Sequence, residues 1–204
     1  MSTLLRQTST GLRLLLVFTV LCGIVFPLVV WGLSRIAPGS AEGSVITRDG
    51  RAVGSSVVAV DPVPADPAAD PYFHTRPSAS SQDVLGPTDT STSGGSNKAA
   101  DSTDLLDTVA QRRALIGERE GVAPEAVPAD AVAASASGLD PDISPAYAAL
   151  QVNRVARVTG LPADEVAGLV AGATDGRVLG FLGEPTVNVT ELNLAVAQAQ
   201  GRLP

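Results

Sequence analysis

The chain has 204 residues, 14 of them basic and 21 acidic, for a formal net charge of −7. Its one histidine, His74, and one cysteine, Cys22, exclude an internal disulfide and a metal centre of clustered His or Cys ligands. Beyond residue 35 there are 11 basic and 21 acidic side chains, a balance of −10 that argues against nucleic acid or anionic lipid as the main partner.

Leu14 to Leu33 is a run of twenty residues without a charge, mostly Leu, Val, Ile and Phe. As a helix it covers about 30 Å, the thickness of a hydrocarbon core, and predicts one transmembrane helix over residues 12–34. Gly23, Pro27 and Gly32 interrupt the run, as a membrane helix tolerates when neighbouring helices approach closely. Trp31 suits the interface. A cleaved signal peptide is the rival reading, with Gly39-Ser40-Ala41 as a weak cleavage site, but its apolar region should be shorter. Arg6 and Arg13 precede the apolar run and only Arg35 follows closely, which favours residues 1–11 in the cytoplasm and 35–204 outside the plasma membrane.

Val45-Ile46 and Ala52-Val53 flank Asp49-Gly50, which predicts a hairpin, and 56–60 reads as a further strand. From Asp61 to Thr103 the Pro, Gly, Ser and Thr content reads as a flexible linker, interrupted by two denser motifs. Leu105, Val109 and Ile116 share a helical face that ends at Gly117 or Gly121, and 123–142 is loop-like. Ser144-Pro145 pairs a capping hydroxyl with a proline suited to the first helical position, opening a helix to Thr159. Pro162 opens another, with Val166, Leu169, Val170 and Ala173 on one face. Phe181-Leu182 and Thr186-Val187 are strand candidates, and 188–191 resembles a capping box before a last helix. The expected fold class is α+β: one membrane helix, then a small exported mixed α/β domain.

Catalytic groups are scarce. A Ser-His-Asp triad could be built only through His74, and no Gly-x-Ser-x-Gly elbow accompanies it. Ser93-Gly94-Gly95-Ser96-Asn97 lacks the Walker A spacing; it is either a solvated turn or a nest of amides for an anion. On the helix from Pro145, Ala148, Val152 and Val155 form a buried stripe beside a second stripe of Tyr147, Gln151 and Arg154. These polar groups either cap loop carbonyls or face a partner or ligand. An anchored exported enzyme and a free-standing binding module therefore stay open as alternatives at this point.

Four segments together carry a resemblance. They are 72–79, with Phe73, His74, Arg76 and Pro77; 93–97; 134–161, with Gly138-Leu139-Asp140 and Ser144-Pro145; and 181–195. In this order the chain resembles the C subunit (KdpC) of the Kdp-type potassium-transporting ATPases. It departs from the family pattern at 56–61 and at Leu85-Gly86-Pro87-Thr88, where the family carries Leu-Ile-Gly-Gln and Tyr-Asn-Pro stretches. The resemblance implies a non-catalytic subunit of an ATP-driven potassium import complex in a bacterial plasma membrane. Its partners would be a channel-like A subunit (KdpA), a P-type ATPase B subunit (KdpB) and a small F subunit (KdpF). It also implies ATP as a ligand, associated with the glycine-rich motif or with Gln151. Gly23, Pro27 and Gly32 become candidates for packing against partner helices.

An acidic domain over a cation entrance concentrates potassium locally, within a Debye length of about 8 Å at physiological salt. Neutralising several surface acids is accordingly expected to slow potassium uptake at low ionic strength and to leave it unchanged at physiological salt. Unchanged uptake under both conditions would dismiss the effect.

Overall fold

The computed structural model describes residues 3–202, and the chain divides into two compact units, one up to Ser44 and one from Val45. In the first, helix α1 (Thr3–Val20) runs through a π-helical segment (Leu21–Val25) into α2 (Phe26–Ser34). Together they form a continuous helix of 32 residues, long and apolar enough to cross a bilayer. It carries on N-terminally beyond the apolar run. The π-segment immediately precedes Pro27. Proline has no N–H and its ring crowds the carbonyl four residues back, and a widened turn relieves both problems. At the C-terminal end the Arg35 guanidinium lies over the Trp31 ring, 5.1 Å from its centroid. A single turn, α3 (Pro38–Ala41), completes the unit.

The second unit begins with the predicted hairpin, β1 (Val45–Arg48) and β2 (Arg51–Ser55), paired antiparallel. Asp49 and Gly50 both have positive φ, 48° and 74°, the turn geometry that matches the twist of paired strands. No strand forms at 56–60, contrary to expectation. Its polar groups go elsewhere: the Ser55 hydroxyl takes the Val57 N–H, and two distant groups take others, Asn188 Nδ2 donating to the Ser56 carbonyl and the Leu139 carbonyl accepting the Ala59 N–H.

The segment 61–102 is irregular apart from a 3₁₀ turn, Pro67–Ala69, but it is not a loose linker. Phe73, His74, Thr75 and Ser78 within it are buried. The predicted helix follows as α4 (Thr103–Glu120), closed at Gly121, with the Val122 N–H donating to the Gly117 carbonyl at 2.9 Å. The loop-like stretch beyond it contains two single turns, Pro124–Ala126 and α5 (Ala129–Val132), which sink Val127, Ala131 and Val132 into the core.

Strands β3 (Asp142–Ile143), β4 (Thr174–Asp175) and β5 (Thr186–Asn188) form an antiparallel sheet in the order β3-β5-β4. Around it pack α6 (Pro145–Thr159), α7 (Ala163–Gly172) and α8 (Val189–Ala199). The predicted caps are present: Ser144 Oγ accepts the Tyr147 N–H, and Asn188 Oδ1 accepts the Glu191 N–H. Ala148, Val152 and Val155 of α6 join Val166 and Val170 of α7, Val187 of β5 and Leu192 and Val196 of α8 in one aliphatic core. Each such Val or Leu contributes about 1.5–3 kcal/mol on burial. This is the expected α+β fold.

Phe181-Leu182 is not a strand. Val178 and Leu182 bond to each other in both directions, and positive φ at Leu179, Gly180 and Gly183 turns the chain back. The segment's hydrogen bonds close within the loop rather than on a neighbouring strand.

Gly138 and Gly160 share a left-handed backbone, φ 72° and 78°, but not their surroundings. A Cβ at Gly138 would lie 2.9 Å from Ser78 Oγ and 3.0 Å from the Gly94 carbonyl oxygen, whereas at Gly160 it would meet nothing within 4 Å. Gly160→Ala is therefore expected to cost about 1 kcal/mol, the backbone strain alone, and Gly138→Ala about 2–3 kcal/mol. Thermal melts of the full chain in mild detergent, followed by circular dichroism, would separate the two.

Candidate functional site

Tyr147, Gln151 and Arg154, one turn apart on α6, are all buried; Gln151 and Arg154 meet the irregular segment 61–76, and Tyr147 meets Arg119 of α4. Gln151 is fully buried and bonds the main chain of His74 at both ends of its amide. Its Oε1 accepts the His74 N–H at 2.8 Å, and its Nε2 donates to the His74 carbonyl at 3.2 Å. Asn193 of α8 grips Phe73 in the same way, 2.8 Å each way. Two side-chain amides from two helices thus do for Phe73 and His74 what a neighbouring strand would do, which satisfies a buried backbone outside any sheet.

Arg154 is the hub. Its Nη1 donates to the carbonyls of Asp70 and Tyr72 at 2.8 and 2.9 Å, and lies 3.2 Å from the Asp70 carboxylate. Its Nη2 donates to Gln151 Oε1, and its Nε to the carboxylate of Glu120 at the end of α4. Glu120 is fully buried at its side chain and also accepts from Arg119 Nε at 2.7 Å, while Arg119 Nη2 donates to the Tyr147 hydroxyl.

The His74 ring lies between two carboxylates. Nδ1 is 2.8 Å from Asp61 Oδ1, and Nε2 is 2.6 Å from Asp70 Oδ2. Burial pulls its pKa down, but the hydrogen bonds to Asp61 and Asp70 outweigh that, and the net shift is upward. Asp70 moves the other way: burial pushes it up, but His74, Arg154 and the Tyr72 N–H hold it below the ordinary carboxylate value. Asp61, Asp70 and Glu120 balance Arg119 and Arg154 only when His74 carries its proton. A cleft of about 880 Å³ opens beside this network, lined among others by Leu85, Arg119, Arg154 and Arg157.

A second junction joins the remaining motifs. The Gly94 N–H donates to the Ser137 carbonyl at 2.8 Å, as does the Ser93 hydroxyl at 3.0 Å. A Cβ at Gly95 would lie 2.9 Å from the Ala136 carbonyl oxygen, so the glycine permits this close approach. Ser135 donates its N–H to the Pro77 carbonyl and accepts from the Gly138 N–H. Arg76 pairs with Asp140. Leu139 offers its carbonyl to the Ala59 N–H. Ser96 and Asn97 are exposed at the rim. Ser144 and Pro145 serve the start of α6, where Asp130 accepts from both the N–H and the hydroxyl of Ser144.

Of the groups implied for ATP, Gln151 is closed to a nucleotide and the glycine-rich motif has one of its amides already engaged. Gln151 is fully buried with both amide ends engaged, and the Gly94 amide is spent on Ser137. In the long helix, Gly23 and Pro27 lie four residues apart on one face. Gly32 sits about 140° round from Pro27 and does not extend that face.

Sequence reasoning missed Asp61, Asp70, Arg119 and Glu120. The i, i+4 spacing of Asp70 and His74 was the one available signal, and it is weak outside a helix.

Comparison with known proteins completes the picture. The family described as KdpC, the K+-transporting ATPase c chain, matches residues 8–198. The chain belongs to the KdpC family. It is 47% identical to the potassium-transporting ATPase KdpC subunit of Kineococcus radiotolerans, over 98% of this chain and 97% of that one. The KdpC subunit of Streptomyces coelicolor is 44% identical over 95% and 92%, and that of Bradyrhizobium diazoefficiens 40% over 98% and 100%.

Two outcomes test the network. Arg154→Ala takes a cation from the buried carboxylates of Glu120 and Asp70 and leaves the carbonyls of Asp70 and Tyr72 without their donor, and is expected to cost about 3 kcal/mol in urea unfolding. The pH dependence has two limbs. The His74 contribution is complete below its ordinary 6.5 and is lost as pH rises through its raised value. The Asp70 contribution is present above 3.8 and is lost as pH falls through its lowered value. Melting temperature against pH should decline on both sides, and His74→Gln should flatten the alkaline decline.

Proposed function

We propose that this chain is a non-catalytic subunit of an ATP-driven potassium import complex, stabilising the assembly of a channel-like A subunit with a P-type ATPase B subunit. Family membership across residues 8–198 carries the reading. Residues 1–11 are cytoplasmic in this reading, 12–34 span the membrane, and 35–204 form the extracytoplasmic domain. The Arg6 and Arg13 bias supports that orientation. The face carrying Gly23 and Pro27 packs against partner helices; a larger side chain at Gly23 would meet nothing within the chain itself.

The chemistry of the buried network supports an accessory role. A general base needs one ring nitrogen facing a nucleophile. Both ring nitrogens of His74 face carboxylates. The guanidinium of Arg154 is committed to carbonyls and carboxylates of its own chain. Such an arrangement shapes and holds a surface. It does not turn over a substrate.

Purification in mild detergent with a tag on this chain is expected to recover the channel-like and ATPase subunits together. Recovery of the chain alone would refute the assembly role. His74→Ala is expected to remove no activity from the isolated chain, because the reading gives it none; a hydrolytic activity abolished by that change would instead establish an enzyme.

A further inference from the structure

Beyond the long helix, exposed apolar side chains among the described residues are densest at one loop, ahead of the looser series Val57, Val60 and Val63. Val178, Leu179, Phe181 and Leu182 are 66%, 80%, 68% and 50% exposed within five consecutive residues. Four large apolar groups left in water at one loop mark an interaction site rather than ordinary surface.

The loop is built to present them. At its base Arg177 Nη2 pairs with Glu184 Oε2 at 2.6 Å. Above the base, the Val178 N–H donates to the Leu182 carbonyl at 2.9 Å and the Leu182 N–H to that of Val178 at 3.0 Å. The Gly180 N–H returns to the Arg177 carbonyl. Leu179 takes φ 55°, a conformation a leucine adopts only at a cost, and its side chain is the most exposed of the four.

Three observations choose the occupant. A bilayer accepts apolar side chains in any arrangement, so fixed backbone geometry gains little there, whereas a shaped protein recess rewards it. Insertion into an anionic membrane also calls for free cations beside the apolar tip, and Arg177, the loop's one cation, is paired with Glu184. The residues from 36 on carry −10, which repels an anionic surface.

We infer that the loop Arg177–Glu184 is a preformed docking knob that seats Leu179 and Phe181 in an apolar recess on a protein subunit of the transport complex. The inference rests on the assembly role proposed above and assigns the contact to particular residues. The hydrophobic tip supplies affinity, and the closed loop below it supplies the fixed shape.

The test uses the full chain co-expressed with the channel-like and ATPase subunits. A photo-activatable phenylalanine replacing Phe181 is expected to crosslink to a protein subunit, while the same group replacing Leu106, an exposed leucine of α4, is not. Leu179→Ser combined with Phe181→Ser is expected to lower recovery of this chain with a tagged ATPase subunit about tenfold, as truncating buried interface anchors does. Both side chains are exposed, so the domain's melting temperature should not change. Crosslinking to lipid alone would assign the loop to the bilayer and overturn the inference, as would undiminished recovery of the double variant. If the unaltered chain recovers no subunit, the assembly role itself fails, an outcome distinct from a variant that assembles normally.

Discussion

The buried guanidinium of Arg154 is the constraint on which the rest of the domain depends. One side chain on α6 joins the end of α4 through Glu120 and the irregular chain at 70–72 through two carbonyls and a carboxylate. A guanidinium taken out of water is tolerable only if its donors are met, and here they are met by elements far apart in sequence. The ion pair therefore sets where α4 and the segment before it lie relative to the aliphatic core. Its own stabilisation is secondary to that positional role.

A small sheet makes such devices necessary. With strands of two or three residues, the sheet can satisfy few of the backbone groups that the domain buries. Side chains take over. Gln151 and Asn193 pair with the main chain of His74 and Phe73, and the Ser135 hydroxyl accepts from the N–H groups of Gly138 and Asp140. The motifs that carried the resemblance are largely these joints. Their polar residues hold loops against helices, and their glycines let one loop approach another.

Two loops of the domain differ in what they do with their side chains. Inside, His74, Asp61 and Asp70 belong with Glu120, Arg119 and Arg154 to a group whose charges balance only with the His74 proton in place. Outside, the turn between β4 and β5 exposes Leu179 and Phe181 on a closed backbone. The first gives the domain a stable shape over a limited pH range. The second is the part of that shape to which a partner contact is assigned by proposal.

Local chemistry was enough to read the helices, the Asp49-Gly50 hairpin, the caps at Ser144 and Asn188 and the long apolar helix, because each depends on neighbours within a few residues. The family was legible for a related reason: its motifs are contiguous runs. Periodicity also placed Tyr147, Gln151 and Arg154 side by side. It could not say what they touched, since their partners lie some 30 to 80 residues away. Ser56 to Val60 and Phe181-Leu182 have the composition of strands, but a strand exists only if a second one accepts its hydrogen bonds. Side chains, the neighbouring Ser55 and the distant Asn188, took those bonds in the first case, and the loop itself took them in the second. The segment after Asp61 reads as disordered because its residues bury little apolar area by themselves. Helices α6 and α8 give it order by supplying the polar partners its backbone lacks, and only the tertiary structure brings those helices to it.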